Sequence, residues 1–251
     1  MSELKPIGSL KDKVAIVTGG GTGIGRAATQ AMVNEGGRVL IVGRREQPLK
    51  DLTNEYPDRV SYLQADVSQA GCSQLIIETV LETYGKLDIL VNNAASAVLK
   101  PLALLSDDEI VDMLNVNIKG LLSLSRDAIP ALEQSSGCII NISSVAAQSA
   151  VPGFTAYAAT KSAIDRSSKI LAAELGPAGV RVNVVSPGLT QTDMLSATPE
   201  SAIDTLVNEA TALRRLGKPE EVAETIIWLA SDQSKWVTGQ VIQASGGLLL
   251  S

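Results

Sequence analysis

"KVAIVTGGGTGIGRAATQAMVNEGG", Lys13 to Gly37, starts as a short β-branched run, passes through a cluster of glycines and continues as an amphipathic, alanine-rich stretch. A strand that yields to a glycine turn and then to a helix is the opening of a βαβ unit, whose crossover must lead to a parallel strand. The rest of the chain repeats that alternation. "RVLIVG" precedes "PLKDLTNEY", "VSYLQAD" precedes "CSQLIIETVLETYG", and "LDILVNN", "GCIINISS" and "VRVNVVSP" are each followed by a longer helical pattern or a loop. A last helix, "PEEVAETIIWLASDQ", precedes a short strand near "QVIQAS". The pattern predicts an α/β fold, a Rossmann-like doubly wound parallel sheet of about seven strands with helices on both faces, in one domain over 1–251. Turn pairs at Gly36-Gly37, Pro152-Gly153 and Pro187-Gly188 punctuate the element ends.

The glycine turn also carries chemistry. Its spacing is G-x-x-x-G-x-G, at Gly19, Gly23 and Gly25, since the commoner G-x-G-x-x-G would need glycine at Ile24. Glycines let a pyrophosphate approach the backbone, and the helix N-terminus offers free N–H groups and partial positive charge. Read alone, the same glycines also serve a structural turn; the first βα junction of a parallel sheet favours the dinucleotide reading. The second strand, "VLIVGRREQ", has Gly43 where an acid would accept the ribose 2′-OH of NAD, followed by Arg44 and Arg45. Two guanidiniums suit the 2′-phosphate of NADP, so NADP(H) is expected, with NAD(H) possible. After the third strand, Asp66 and Val67 are placed to bracket an adenine.

Composition narrows the chemistry. The 251 residues contain no histidine, which removes Ser-His-Asp and Cys-His mechanisms and the usual zinc sites; no metal is expected. Net charge is −6 without a basic run, so nucleic acid and anionic membranes are poor partners. Apolar stretches fall far short of a membrane span, and the N-terminus lacks a signal-peptide pattern, giving the expectation of a cytoplasmic protein. Cys72 and Cys138 have no C-x-x-C spacing and read as small buried residues.

Proton chemistry then falls to other side chains. "YAATK" puts Tyr157 and Lys161 one helical turn apart on one face. A tyrosine near its ordinary pKa of about 10 is a poor base, and a neighbouring ammonium is expected to lower it. Upstream, "CIINISS" delivers Ser143 and Ser144 to a strand's carboxyl end, where a hydroxyl can hold a carbonyl oxygen while Tyr157 donates a proton and nicotinamide supplies hydride.

These motifs in this order, "TGGGTGIG", "ADV", "NNAA", "NVNIKG", "ISS", "YAATK" and "SPGLTQT", resemble the short-chain dehydrogenase/reductase family over nearly the whole chain. The resemblance implies an NADP(H)-dependent oxidoreductase interconverting a ketone and a secondary alcohol. It implies Ser144 as carbonyl-orienting residue, Tyr157 as proton donor, and Lys161 as the residue that binds the nicotinamide ribose and lowers the tyrosine pKa. Ser144 is preferred to Ser143 because it lies thirteen residues before Tyr157. Asn117 matches the fourth catalytic position, where a helix irregularity holds a proton-relaying water, and Asn115 is its less favoured twin. Cofactor contacts are implied for Gly19, Thr22, Gly23, Ile24, Gly25, Arg44, Arg45, Asp66, Val67, Asn93, Tyr157 and Lys161. Pro187, Gly188, Thr190 and Thr192 match the segment that seats the carboxamide, while Asn92 reads as a strand-bridging residue.

Two positions depart from the family pattern: Ala95 replaces its usual glycine, and Thr22 stands where several NADP-preferring members have a basic residue. The resemblance further implies a homotetramer built on the long helices around 107–134 and 155–176, with a second contact through the C-terminal "VIQASGGLLLS". Residues 189–213 are expected to form a substrate lid. Val98, Leu99, Leu102, Met194, Leu195 and Phe154 are expected to wall an apolar pocket for a small carbonyl or alcohol substrate. Rival readings are a 3-oxoacyl-(acyl-carrier-protein) reductase, for which Arg126, Arg166 and Lys169 are scattered docking candidates, and a non-catalytic NADP(H)-binding redox sensor.

Overall fold

The computed structural model describes residues 10–195 and 200–248. Its centre is a single sheet of seven parallel strands: β1 (Val14–Thr18), β2 (Arg38–Gly43), β3 (Val60–Gln64), β4 (Ile89–Asn92), β5 (Cys138–Ile142), β6 (Arg181–Pro187) and β7 (Val241–Ala244). Their order is β3-β2-β1-β4-β5-β6-β7, the doubly wound arrangement expected from the alternation. β1, β4 and β5 are buried at every position, which is why they read as continuous apolar runs rather than alternating ones.

Helices cover both faces. On one side α1 (Gly23–Asn34), α2 (Glu46–Glu55) and α8 (Pro219–Ala230) pack on Val17, Ile41, Val91 and Ile140. On the other, α3 (Cys72–Tyr84), α5 (Leu121–Ser135) and α6 (Thr155–Leu175) pack on Ile16, Leu40, Leu90 and Ile139. α4 (Asp107–Leu114) leads into α5 through a wide π-helical turn, Asn115–Gly120, and a short α7 (Glu200–Thr205) follows β6. The long helical path expected around 107–134 runs from Asp107 to Ser135, with the expected irregularity present as the π-helical turn at Asn115–Gly120. α6 spans nearly the range expected for the second.

Across the sheet runs a buried polar chain. Asn92 Nδ2 donates to Ser125 Oγ at 3.0 Å and to Asn141 Oδ1 at 2.9 Å, and Asn141 Nδ2 donates to Ser168 Oγ at 2.9 Å. These bonds tie α5, β4, β5 and α6 into one register, since an unpaired amide in this interior would be costly.

The sheet reverses its winding between β1 and β4. The carboxyl ends of these strands open the crevice in which ligands of such sheets bind. Thr18, buried at the end of β1, fixes that point: its Oγ1 accepts the backbone N–H groups of both Asn93 and Ala94 at 3.0 Å. Within the segment expected to be a lid, Thr190 bridges Gly217 and Thr211 bridges Leu248; residues 196–199 lie outside the described residues, as do the last three of the C-terminal tail. Leu248 itself is buried.

Candidate active site

Every segment singled out from the sequence leaves the same edge of the sheet. Gly19 to Gly25 follow β1, Arg44 and Arg45 follow β2, Asp66 and Val67 follow β3, Asn93 follows β4, Ser143 and Ser144 follow β5, and Gly188 to Thr192 follow β6. The topology thus collects residues far apart in sequence along one crevice.

The glycine turn is built to admit a ligand. Gly19 and Gly23 have φ of 66° and 52°, the left-handed region that favours glycine. A Cβ on Gly25 would lie 2.2 Å from the Gly19 carbonyl oxygen, so α1 can start this close to β1 only with glycine there. Asn93 Nδ2 donates to the carbonyls of Thr18 (2.9 Å) and Gly19 (3.3 Å) and so braces the turn from β4. Ile24, in the first turn of α1, is partly buried against the core.

Beside the turn lies a cavity of about 440 Å³ whose lining includes Gly19, Thr22, Arg44, Arg45, Asp66, Val67 and Ala95. Burial pushes the Asp66 carboxyl up, but the two hydrogen bonds from Ser68 and the Arg44 charge outweigh it and hold it below the usual range. Its charge is therefore present for a donor such as an exocyclic amine. A glycine cradle, a cavity of this size, two guanidiniums and an ionised carboxylate fit the adenosine half of a dinucleotide. Further along the crevice, Thr190 Oγ1 donates to the Gly188 carbonyl at 3.1 Å. The Thr192 methyl lies 3.1 Å from where a Gly23 Cβ would be. Pro187 ends β6 at the same edge, paired in register with Ala244.

At the far end stand the proton-handling groups. Tyr157 is only 7% exposed and Lys161 only 2%. Ser144 Oγ accepts the N–H of Ala146 at 3.2 Å, and its hydroxyl stands near enough to the Tyr157 phenol to pull that group's pKa down. Ser143 faces elsewhere: its Oγ donates to the backbone carbonyl of Lys161 at 3.2 Å. Of the two serines, Ser144 meets the tyrosine and Ser143 ties β5 to α6.

One expectation needs correction. The Tyr157 pKa is pushed up to about 12 by burial, only partly offset by the Ser144 hydroxyl. Lys161 Nζ donates to the Ile142 carbonyl at 2.8 Å and lies 5.6 Å from the ring centroid. Burial also pulls the lysine down to about 8, leaving it incompletely charged at mildly alkaline pH. The phenol is thus held protonated, the state a proton donor requires.

Asn117 sits in the π-helical turn. Its Oδ1 accepts the Ser96 N–H at 2.8 Å, and its Nδ2 donates to the Ser96 carbonyl at 2.8 Å and to Thr160 Oγ1 at 3.0 Å. The side chain therefore locks the loop after β4 to the catalytic helix, while Asn115, half-buried on the same turn, is the twin not joined to Thr160. Around Tyr157, Val98, Phe154, Met113 and Ala146 form a small apolar cluster, with Phe154 edge-on to the tyrosine at 6.3 Å. Leu99, Leu102 and Met194 are exposed.

Three participants were not singled out from the sequence. Thr18 pins the crevice, and Thr160 joins Asn117 to the helix; both are ordinary threonines whose roles depend on distant backbone. Asp165 lies one turn beyond Lys161, and the i,i+4 spacing was the available signal. Its carboxyl is raised by burial, and its charge raises Lys161 against the lysine's own desolvation. Asp165→Asn is accordingly expected to move the alkaline fall of kcat/KM to lower pH, by up to about one unit, since a lysine without this charge loses its proton sooner. A pH–rate profile checks it; an unmoved alkaline limb would mean that lysine ionisation does not set it.

A family profile described as Enoyl-(Acyl carrier protein) reductase matches residues 19–249. The chain is 37% identical over 245 residues to 3-oxoacyl-[acyl-carrier-protein] reductase FabG of Thermotoga maritima, covering 96% of this chain and 99% of that one. It is 36% identical to a 3alpha-hydroxysteroid dehydrogenase of Mediterraneibacter gnavus, covering 94% and 97%. Among solved structures, a short-chain dehydrogenase/reductase of Brucella melitensis titled glucose/ribitol dehydrogenase superposes with a TM-score of 0.93. Identity there is 31%, over 97% of this chain and 99% of that one.

Proposed function

The chain belongs to the short-chain dehydrogenase/reductase family and is an oxidoreductase of that class; from that premise we propose that it interconverts a ketone and a secondary alcohol with NADP(H). The observation that carries the reading is the convergence of Ser144, Tyr157 and Lys161 at one end of a crevice whose other end is a glycine cradle flanked by Arg44 and Arg45. Bound along that crevice, the nicotinamide supplies or takes up the hydride. The protein's share is to orient the carbonyl oxygen through Ser144, to donate the phenol proton of Tyr157 to it, and to hold Lys161 where its charge assists that transfer. Asn117 keeps the loop carrying Ser96 against the catalytic helix.

Support for NADP over NAD comes from Gly43, where a ribose-binding acid would stand, and from the two arginines after it. Replacing both Arg44 and Arg45 by Ala is expected to weaken NADPH binding by about 10- to 100-fold, leaving NADH within a few-fold, because hydrogen bonds to charged groups are lost only for the phosphorylated cofactor. Fluorescence titration with each nucleotide checks this. Equal losses for both would assign the arginines to the fold instead.

For the substrate we propose a small apolar carbonyl compound, because Val98 and Phe154 pack beside Tyr157, and the exposed Leu99 and Leu102 follow Val98 in the chain. A 3-oxoacyl thioester is the second reading, favoured by the name of the Thermotoga relative. Its acidic carrier would need basic docking groups. Arg166 and Lys169 are exposed on α6, but Arg126 already pairs with Asp127 at 2.7 Å. A panel of ketones, 3-oxoesters and 3-oxoacyl thioesters separates the two readings. A third, the non-catalytic sensor, is met by the tyrosine substitution discussed below. Exposed Val111, Leu114, Leu122 and Ile170 on α4, α5 and α6 support the proposed homotetramer. Among the described residues no helix is long and apolar enough to cross a membrane, and the proposed setting is the cytoplasm.

A further inference from the structure

Arg45 is not simply turned toward the cavity it lines. Its Nη2 lies 3.1 Å from Thr22 Oγ1, in the glycine turn, and 3.2 Å from Asp193 Oδ2, in the segment after β6. The neighbouring Thr192 methyl packs against Gly23, so this segment rests on the turn at two adjacent points. Arg45 and Asp193 are 64% and 73% exposed, and an ion pair so open to water contributes little to stability. A phosphate dianion offers the same guanidinium a stronger, charge-assisted set of hydrogen bonds.

We propose that Asp193 is a cofactor-specificity residue: its carboxylate holds the Arg45 nitrogen that a 2′-phosphate would take, so the phosphorylated cofactor binds by displacing it and loosens the start of the substrate segment from the glycine turn. The inference rests on the NADP(H) reading above and adds to it a link between the two ends of the crevice. Asp193 opposes the phosphate twice, by occupying the guanidinium and by like-charge repulsion, and opposes NADH in neither way. In this arrangement, binding of the phosphate is coupled to the position of the segment that carries Thr192 and Met194.

The test is a double-substitution cycle on the full chain, with dissociation constants for NADPH and NADH measured by fluorescence titration for the wild type, Asp193→Asn, Arg45→Gln and the pair. Asp193→Asn is expected to tighten NADPH by about three- to tenfold and to leave NADH within about twofold, and the gain is expected to vanish in the Arg45→Gln background. Asp193→Ala, measured alongside, guards against an asparagine that keeps a hydrogen bond to the guanidinium. Unchanged or weakened NADPH binding in both Asp193 variants, or a gain that persists without Arg45, overturns the proposal. A wild type that binds NADH as tightly as NADPH, and 2′,5′-ADP no better than 5′-AMP, overturns instead the NADP(H) reading on which it rests.

Discussion

Tyr157→Phe is expected to lower kcat by about a thousandfold while cofactor affinity stays within a few-fold of the wild type. The substitution removes one oxygen from a ring that is almost wholly buried and packed edge-on against Phe154, and it leaves the volume of the site nearly unchanged. What is lost is the proton that the phenol gives to a developing alkoxide. Among the described residues the neighbouring side chains are otherwise engaged: Ser143 with the Lys161 carbonyl, Asn117 with Ser96 and Thr160, and Lys161 with the Ile142 carbonyl; the chain has no histidine. Steady-state kinetics and nucleotide titration of the same preparation check both halves of the expectation. Retained catalysis would remove Tyr157 from the chemistry, and lost nucleotide binding would make its role structural.

The second large effect is expected from one methyl group at Gly25. Gly25→Ala would put a Cβ 2.2 Å from the Gly19 carbonyl oxygen and 2.6 Å from Asn93 Nδ2, and backbone cannot yield as a side-chain tip can. Either α1 withdraws from β1 or the turn opens, and both spoil the cradle and its brace from Asn93. Overpacking of this kind costs about 1–3 kcal/mol in stability, and cofactor affinity is expected to fall by about a hundredfold or more as the N–H groups of the turn lose their aim. Gly217→Ala is the matched control. Its φ lies outside the left-handed region and its Cβ would meet only ordinary van der Waals neighbours, 3.4 Å from the Leu189 carbonyl oxygen and 3.7 Å from Thr190 Oγ1, so alanine there is expected to be close to neutral in stability. Thermal unfolding with and without NADPH compares the pair; a Gly25→Ala protein that keeps its ligand-induced stabilisation would show that the turn does not form the binding site.

The sheet was legible in the sequence because each strand carries its own signal. A fully buried parallel strand is mostly apolar on both faces, and β1, β4 and β5 are so apart from the hydrogen-bonded Thr18, Asn92 and Asn141, so period and composition place them. The parallel, doubly wound arrangement followed from the alternation and the handedness of its crossovers, whereas the order β3-β2-β1-β4-β5-β6-β7 depends on pairings between distant segments. Along the crevice, residues fixed by local spacing were also readable: Tyr157 with Lys161 by helical period, and Gly19 with Gly23 and Gly25 by the geometry of a turn. What stayed hidden depends on contacts across long stretches of chain. The Arg45–Asp193 pair joins residues 148 apart, and neither has a neighbour in sequence that announces the other. The raised phenol pKa is of the same kind. Adjacency of tyrosine and lysine predicted a lowering, but burial of the phenol is a tertiary fact that sets the opposite direction. Asn117 was found as a position, yet its grip on Ser96 and Thr160 needed the folded loop after β4.

The measurement that bears most directly on the central claim is transfer of label from NADPH deuterated at nicotinamide C4, with a small apolar ketone as acceptor, followed by mass analysis of the alcohol. The account predicts deuterium on the carbinol carbon in step with NADPH consumed, and labelled alcohol formed about a thousandfold more slowly by the Tyr157→Phe enzyme. Tight NADPH binding with no labelled alcohol from any ketone, 3-oxoester or 3-oxoacyl thioester would contradict it and leave a nucleotide-binding protein without this chemistry.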